Sequence, residues 1–136
     1  MVNFKNNHLP LTFYNLQLDF MRRPEKLAVT LREEISEIVG YELEDPRLAA
    51  ITVTDVRVSD NMRDAKVYVL VEGDEKEING AMRALHNAEN FVRQQVALNL
   101  NVNHAPHIHF VRDTIEERGN RIDRLLEEIV ILKDED

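Results

Sequence analysis

The chain has 136 residues, 43% of them hydrophobic, and this size and composition indicate a single globular domain with a modest core. Cysteine is absent from the sequence, which excludes disulfide bonds, a thiolate nucleophile and a cysteine-ligated zinc site. The net charge of −8 argues against a nucleic-acid partner unless the positive charges are gathered in one part of the chain.

Residues 1–20 differ from the remainder of the chain because they carry only two charged side chains. Four apolar residues alternate with polar ones, which is compatible with a short strand: Tyr14, Leu16, Leu18 and Phe20. No segment has the roughly 20 consecutive apolar residues of a membrane helix, and no basic leader with a cleavage site is present. We therefore expect a cytoplasmic protein without a membrane partner, in which residues 1–20 are an extension or Met21 is the true start.

The first predicted helix begins near Pro24, since proline suits the first turn, where its missing N–H group is not needed. Apolar residues recur at helical spacing and continue to about Leu43: Leu27, Leu31, Ile35, Ile38 and Val39. Asp45 precedes Pro46 and is therefore disfavoured in helical geometry, so the helix is predicted to end before this point.

Two runs rich in β-branched residues, 51–58 and 65–71, predict a pair of strands joined by the turn-forming segment SDNMRD. The second run alternates regularly. In the first run, Ile51 and Val53 share one parity, whereas Val56 and Val58 have the other. A β-bulge, or burial on both faces, would explain this change.

The segment 75–98 is predicted to be helical because six apolar residues recur on one side: Ile78, Met82, Leu85, Ala88, Val92 and Val96. Asn90 interrupts the centre of this pattern. Asparagine tolerates left-handed backbone geometry, so we predict that the chain bends at Asn90 into two helices, with the small Ala88 where they meet. The alternative is one continuous helix with Asn90 facing solvent, which would cost only about 0.7 kcal/mol relative to alanine.

A third strand is predicted within residues 107–113, with Ile108 and Phe110 on one face, and a further helix over 114–132 before an acidic tail. The resulting order is helix, strand, strand, helix, helix, strand, helix, which is an α+β arrangement. A right-handed crossover makes the third strand parallel to one of the first two, in a three-stranded mixed sheet with helices on one face.

The charges are segregated along the sequence. Residues 78–112 contain three arginines and one glutamate, so 3 − 1 = +2, together with four of the five histidines. Residues 127–136 contain one lysine and five acidic residues, so 1 − 5 = −4. A mildly basic middle and an acidic end are compatible with a local electrostatic footprint for a polyanion.

Short motifs follow one another in a fixed order between about residues 22 and 130, and they are Arg23 with Leu27, Asp45-Pro46-Arg47-Leu48, Thr52 with Val56, Val58 and Ser59, Ala65-Lys66-Val67-Tyr68-Val69, Ala88-Glu89-Asn90 before Phe91-Val92-Arg93, Ala105-Pro106 with Ile108, Phe110 and Asp113, and Arg121-Ile122 with Leu125-Leu126. This ordered set resembles the bacterial ribosome-binding factor A family. That family has a type II KH fold in which a kinked helix pair replaces the Gly-x-x-Gly loop. The chain differs by having Asn90 where the family's kink has glycine. It also has Asn101, Asn103 and His104 where the family is often arginine-rich.

The resemblance implies an α+β, KH-like type II domain of order α-β-β-α-α-β with a helix-kink-helix over residues 21–113. Residues 1–20 precede it as an extension, and residues 114–136 follow as a C-terminal helix and acidic tail. It also implies a non-catalytic assembly factor that binds free 30S ribosomal subunits and 16S rRNA late in maturation. Members support 16S rRNA 5′-end processing, leave before translation and help growth in the cold. A monomer without cofactors is expected.

Under this interpretation the helical segment 75–98 and its link to the third strand face the RNA. The predicted RNA-binding residues are Arg93, Asn90, Arg83, Lys66, Arg63, Arg22, Arg23 and Lys26. Scattered arginines and amides suffice to contact phosphates and RNA shape, without aromatic side chains that read bases. For each arginine the alternative is an ordinary solvated side chain.

Other functions find less support in the sequence. His104, His107 and His109 form an H-x-x-H-x-H pattern, but zinc needs three or four fixed ligands with supporting partners, so no metal is predicted. The sequence has no phosphate-binding glycine loop, nucleophile elbow or H-E-x-x-H motif, so no enzyme is predicted. The remaining alternative is a KH-like protein–protein adaptor that does not bind RNA directly, which the net charge of −8 would suit.

Overall fold

The computed structural model describes residues 23–43, 46–48 and 51–134, which form three helices and three strands. Helix α1 is Pro24–Glu37 and continues as a π-helical turn, Ile38–Glu42. A 3₁₀ turn, Pro46–Leu48, leads to strands β1, Ile51–Val58, and β2, Asp64–Val71. Helix α2, Glu75–Asn99, strand β3, His107–Arg112, and helix α3, Ile115–Asp134, complete the chain. The strand proposed near Tyr14 and the residue Arg22 lie outside the described residues.

The three strands form one mixed sheet in the order β1-β2-β3, which confirms the predicted α+β class. β1 pairs with β2 antiparallel, and β3 pairs with β2 parallel, as the crossover argument predicts. The register of β1 shifts between Val53 and Asp55, so the change of parity in the sequence is indeed a β-bulge. Because of the bulge, both Val53 and Val56 face the core.

The core lies between one face of the sheet and the helices α1 and α2. From β2 it takes the alternating residues Ala65, Val67, Val69 and Val71, and from α1 it takes Leu27, Leu31, Ile35 and Ile38. Each fully buried valine, leucine or isoleucine side chain stabilises the fold by about 1.5–3 kcal/mol. Asn99 at the end of α2 donates to the Glu34 carboxylate of α1, which fixes how the two helices meet.

Helix α2 is continuous across Asn90, so the predicted kink and the division into two helices are wrong. Asn90 is exposed, and the non-glycine residues with positive φ in the described part of the chain are Met62 and Asn101. The reason lies in the apolar stripe, since Ile78 and Leu85 before Asn90 and Val92 and Val96 after it are all buried. A bend would expose some of these side chains, and the lost burial would cost more free energy than one asparagine in a helix interior does.

The change of chain direction that was predicted at Asn90 occurs at Asn101 instead. Asn101 has φ +55° and follows the last turn of α2. The N–H of Asn101 donates to the Leu98 carbonyl over 3.2 Å, and that of Val102 donates to the Ala97 carbonyl over 3.0 Å. This is the Schellman arrangement, in which a left-handed residue closes the helix and satisfies its last carbonyls.

Helix α3 packs against the opposite face of the sheet, so the expectation of helices on one face holds only for α1 and α2. Its Arg121 guanidinium lies 4.1 Å from the Tyr68 ring centroid and contacts Asp113 over 3.1 Å. The Asp113 carboxylate also accepts from the Thr54 hydroxyl over 2.6 Å. Burial alone would raise the pKa of Asp113, but these hydrogen bonds and the charges of Arg121 and Arg118 outweigh it and leave the pKa below normal.

Helix α3 carries apolar side chains that are exposed in the described structure, namely Ile122, Leu125, Leu126, Ile129 and Val130. The helix continues through Asp134, two residues beyond the predicted end. Among the described residues, no helix combines the length and apolar character that crossing a membrane requires.

Candidate nucleic-acid interface

The solvent-facing side of α2 forms a row of polar side chains that we call the outer ridge. Its members recur every three or four residues, so they lie on one side of the helix over about 27 Å. All are exposed, and they are Lys76, Asn79, Arg83, Asn87, Asn90 and Gln94. Two of the predicted RNA-binding residues, Arg83 and Asn90, are therefore brought together on one surface.

Between residues 78 and 99 of α2, no free carboxylate lies beside this ridge. Glu89 is the one acidic residue of that segment, although the chain has 25 acidic residues. Its Oε2 atom accepts the Phe110 backbone N–H over 2.8 Å and lies 3.3 Å from His86 Nδ1. The glutamate thus ties α2 to β3, and the ridge presents cations and amides to any approaching polyanion.

Arg93 is half-buried at the border between the outer ridge and the link to β3. Its Nε atom donates to the backbone carbonyl of the buried Ala105 over 2.9 Å. The side chain is therefore a structural tether as well as a positive charge. This bond holds the 100–106 link against the helix.

A second group of basic side chains, the strand-start cluster, lies where β2 and β3 begin and comprises Arg63, Lys66, His107 and His109. The His107 N–H donates to the Arg63 carbonyl over 2.8 Å, and Lys66 pairs in register with His109 on the sheet face opposite α1 and α2. Asp64 lies among them, with its Oδ1 atom 2.9 Å from His109 Nε2. The hydrogen bond from His109 holds the pKa of Asp64 below its usual value, so this carboxylate stays charged and partnered.

Other predicted residues lie elsewhere. Arg23 is exposed and Lys26 half-buried at the start of α1, beside the β1 edge of the sheet, whereas α2 packs against β3. Arg112 counted toward the basic middle of the sequence, but it pairs with Glu75 over 3.1 Å. The predicted set is therefore divided among the outer ridge, the strand-start cluster and the start of α1.

The sequence argument missed Phe91, which stands beside the outer ridge with 41% of its surface exposed. Its position in the helical repeat could have revealed it, because Phe91 is apolar but falls outside the six-residue apolar stripe. The sequence argument also missed three amides, because it counted only charged residues; they are Asn79, Asn87 and Gln94.

The arrangement is suited to binding. In the described ranges, no three His, Asp or Glu side chains are close enough together to hold a metal ion. The exposed guanidinium, amide and imidazole groups of α2 and the strand-start cluster can contact phosphates and base edges.

Comparisons with known proteins identify the relatives of this chain. The sequence model of the family described as "Ribosome-binding factor A" matches residues 23–126. Ribosome-binding factor A of Desulfitobacterium hafniense is 43% identical over 104 residues, which are 76% of this chain and 83% of that protein. A crystal structure of ribosome-binding factor A from Thermus thermophilus has a TM-score of 0.58 and 30% identity, covering 65% of this chain and 93% of that chain.

A third comparison concerns an assembly. A homology model of Thermus thermophilus ribosome binding factor A, fitted into a cryo-EM map of its complex with the 30S, has a TM-score of 0.53 and 32% identity to this chain. It covers 62% of this chain and 88% of that one. The residues matched by the family model, 23–126, contain the sheet, α2 and the segment that links them.

Proposed function

This chain belongs to the ribosome-binding factor A family, and on that premise we propose that it is an assembly factor that binds free 30S ribosomal subunits late in their maturation. Its ligand on the subunit is 16S rRNA, and its binding supports processing of the 5′ end of that RNA. It acts as a monomer in the cytoplasm, without cofactor or catalysis, and leaves the subunit before translation.

The observation that carries this proposal is the outer ridge of α2, a row of cations and amides about 27 Å long in a chain of net charge −8. Between residues 78 and 99 the one carboxylate of α2, that of Glu89, is engaged by Phe110 and His86, whereas Glu72 and Glu77 lie beside Lys76 at the start of the helix. A polyanion is repelled by most of such a molecule and least by the part of the outer ridge from Asn79 to Gln94. The binding orientation is therefore set by electrostatics before any close contact forms.

In the proposed complex each group has a distinct task. Arg83 and Lys76 contact backbone phosphates, while the amides of Asn87 and Asn90 bond to sugar and base edges. Arg93 keeps the 100–106 link against α2 through Ala105. The strand-start cluster makes a separate contact, because its Lys66 and His109 lie on the sheet face opposite α1 and α2.

The experiment is sedimentation of a cell extract through a sucrose gradient, with the protein and precursor 16S rRNA followed in each fraction. We expect the protein with free 30S subunits and not with polysomes, and cells lacking it should accumulate 16S rRNA with an unprocessed 5′ end. Arg83→Glu should leave the 30S fractions. Arg32→Glu on α1 is the matched control, because it reverses the same charge on an exposed side chain at the β1 edge.

Two results would contradict the proposal. One is a wild-type protein that never sediments with free subunits. The other is equal loss of binding in Arg83→Glu and Arg32→Glu, which would mean that overall charge and not the outer ridge decides association.

A further inference from the structure

Phe91 is a large apolar residue that lies on the exposed side of α2. Its neighbour Val92 is fully buried and Val96 lies in the same core, yet the larger aromatic ring of Phe91 keeps 41% of its surface exposed. The described structure therefore leaves in solvent an apolar side chain of the kind that usually dominates cores and interfaces.

Two exposed amide side chains flank Phe91 on the helix surface. Asn87 lies one turn before it and Gln94 one turn after it, and both are exposed. Each amide offers two N–H donors and a carbonyl acceptor, the groups that bond to the edges of nucleobases. A flat aromatic ring between such amides is an arrangement that suits a planar, polar-edged ligand.

The charges around Phe91 indicate what that ligand carries. Arg83 lies on the outer ridge about 12 Å along the helix from Phe91, and the carboxylate of Glu89 is held by Phe110 and His86. A ligand that combines an aromatic plane with negative charge fits this environment. An unpaired nucleotide of RNA has both properties.

We propose that Phe91 is a base-stacking residue, and that the ring takes an unpaired nucleobase of RNA whose edge is bonded by Asn87 and Gln94. This rests on the proposed function, since it places a single-stranded rRNA segment on the outer ridge. It also adds an aromatic contact to the sequence-based expectation that scattered arginines and amides suffice for binding RNA.

The first test uses tryptophan as a reporter. The chain contains no tryptophan, so Phe91→Trp places a single indole at the proposed site, and its emission can be excited selectively over the three tyrosines. We expect this variant to bind free 30S subunits and deproteinised 16S rRNA, with its emission quenched by the stacked base in both cases. Val29→Trp, at a residue 62% exposed on α1, is the control that should show no quenching.

The second test separates a ring from an apolar side chain. Phe91→Tyr keeps the ring and should bind as the wild type does, whereas Phe91→Leu keeps apolar surface and should bind 16S rRNA at least about fivefold more weakly. Thermal unfolding of both variants should match the wild type, because an exposed side chain contributes little to the core.

The outcomes separate this inference from the proposed function. If the wild type binds 30S subunits, full binding by Phe91→Leu and unquenched emission of the Phe91→Trp variant overturn base stacking and leave the assembly function intact. Weaker binding of Phe91→Leu to 30S subunits but unchanged binding to deproteinised 16S rRNA also overturns it, because the ring then contacts ribosomal protein. Failure of the wild type to bind subunits or RNA overturns both proposals.

Discussion

At the scale of single residues, two asparagines on α2 and its end have opposite backbone requirements. Asn90 lies in the interior of the helix and faces solvent, whereas Asn101 has φ +55° just after the helix. The same amino acid is therefore mildly unfavourable at one position and well suited to the other. In a helix interior asparagine is worse than alanine by about 0.7 kcal/mol, while at a left-handed position it is among the few residues tolerated.

This contrast leads to a paired prediction. Asn90→Ala should raise the free energy of unfolding by about 0.7 kcal/mol, and Asn101→Ala should lower it by about 1 kcal/mol. Asn101→Gly should restore or improve stability, since glycine adopts positive φ without a Cβ clash. Urea unfolding of the three variants measures this. A loss of stability in Asn90→Ala would contradict the assignment of Asn90 to an exposed position of a regular helix.

Arg93 illustrates a residue whose structural and binding contributions must be measured separately. Arg93→Ala removes the donor to the Ala105 carbonyl and should lower the free energy of unfolding by about 1 kcal/mol. Arg83→Ala, on the exposed ridge, should change it by less than about 0.5 kcal/mol. If chemical unfolding shows the two variants to be equally stable, the tether between α2 and the 100–106 link contributes nothing. Weakened RNA binding by Arg93→Ala can be assigned to a lost RNA contact only after the loss of stability has been measured.

At the scale of elements, periodicity was the most informative property of the sequence. The strands, the β-bulge at 53–55 and the parallel third strand all follow from alternation and the crossover rule, because burial on one face leaves a repeating pattern. The kink at Asn90 was wrong because a single weak helix former was weighed above the apolar residues on both sides of it. Long-range pairs, such as Arg93 with Ala105, leave no repeat in a sequence and could not be predicted.

The attachment of α3 to the sheet depends on one polar network. Asp113 at the end of β3 accepts from Thr54 and Arg121, and Arg121 also lies over Tyr68. Removing one partner of such a buried pair leaves the other charge without compensation, which typically costs about 3–5 kcal/mol, roughly as much as burying two large apolar side chains gains. α3 is therefore held mainly by polar contacts, while its apolar side chains from Ile122 to Val130 stay exposed.

The lowered pKa of Asp113 predicts how stability depends on pH. A carboxylate whose pKa falls on folding adds stability above its unfolded pKa, and that stability is lost as pH falls through the folded pKa. The contribution of Asp113 should therefore be full above its ordinary pKa of 3.8 and decline as the pH drops further toward the lowered value. Thermal melts from neutral pH into strong acid should show this loss.

Two variants, Asp113→Asn and its control Asp60→Asn, test whether Asp113 causes this loss of stability in acid. The first should be destabilised at neutral pH and should show a flatter decline in acid, because its contribution no longer titrates. The second changes an exposed aspartate in the hairpin and should follow the wild-type curve. Parallel acid curves for the wild type and Asp113→Asn would contradict the assigned role of the network.

At the scale of the whole molecule, the segregation of charge is a better guide than the total. The net charge of −8 alone favoured a protein adaptor, yet the fold engages Glu89, the one carboxylate that lies among the cations and amides of residues 78–99. The location of Arg83 and Asn90 on one surface could be predicted from helical spacing. The separation of Arg23 and Lys26 from that surface could not, because it depends on which edge of the sheet each helix covers.

The dependence of binding on salt distinguishes an RNA-binding factor from an adaptor. Each phosphate neutralised by the protein releases counterions, so the logarithm of the affinity for 16S rRNA should fall linearly with the logarithm of salt concentration, by about 0.7–0.9 per contact. Arg83→Gln should weaken binding and reduce this slope by about one contact, while Arg32→Gln on α1 should leave the slope unchanged. A flat response of the wild type, with 30S binding retained, would mean that ribosomal protein is the surface recognised. The acidic residues would then be no obstacle to binding, and the outer ridge would have another partner.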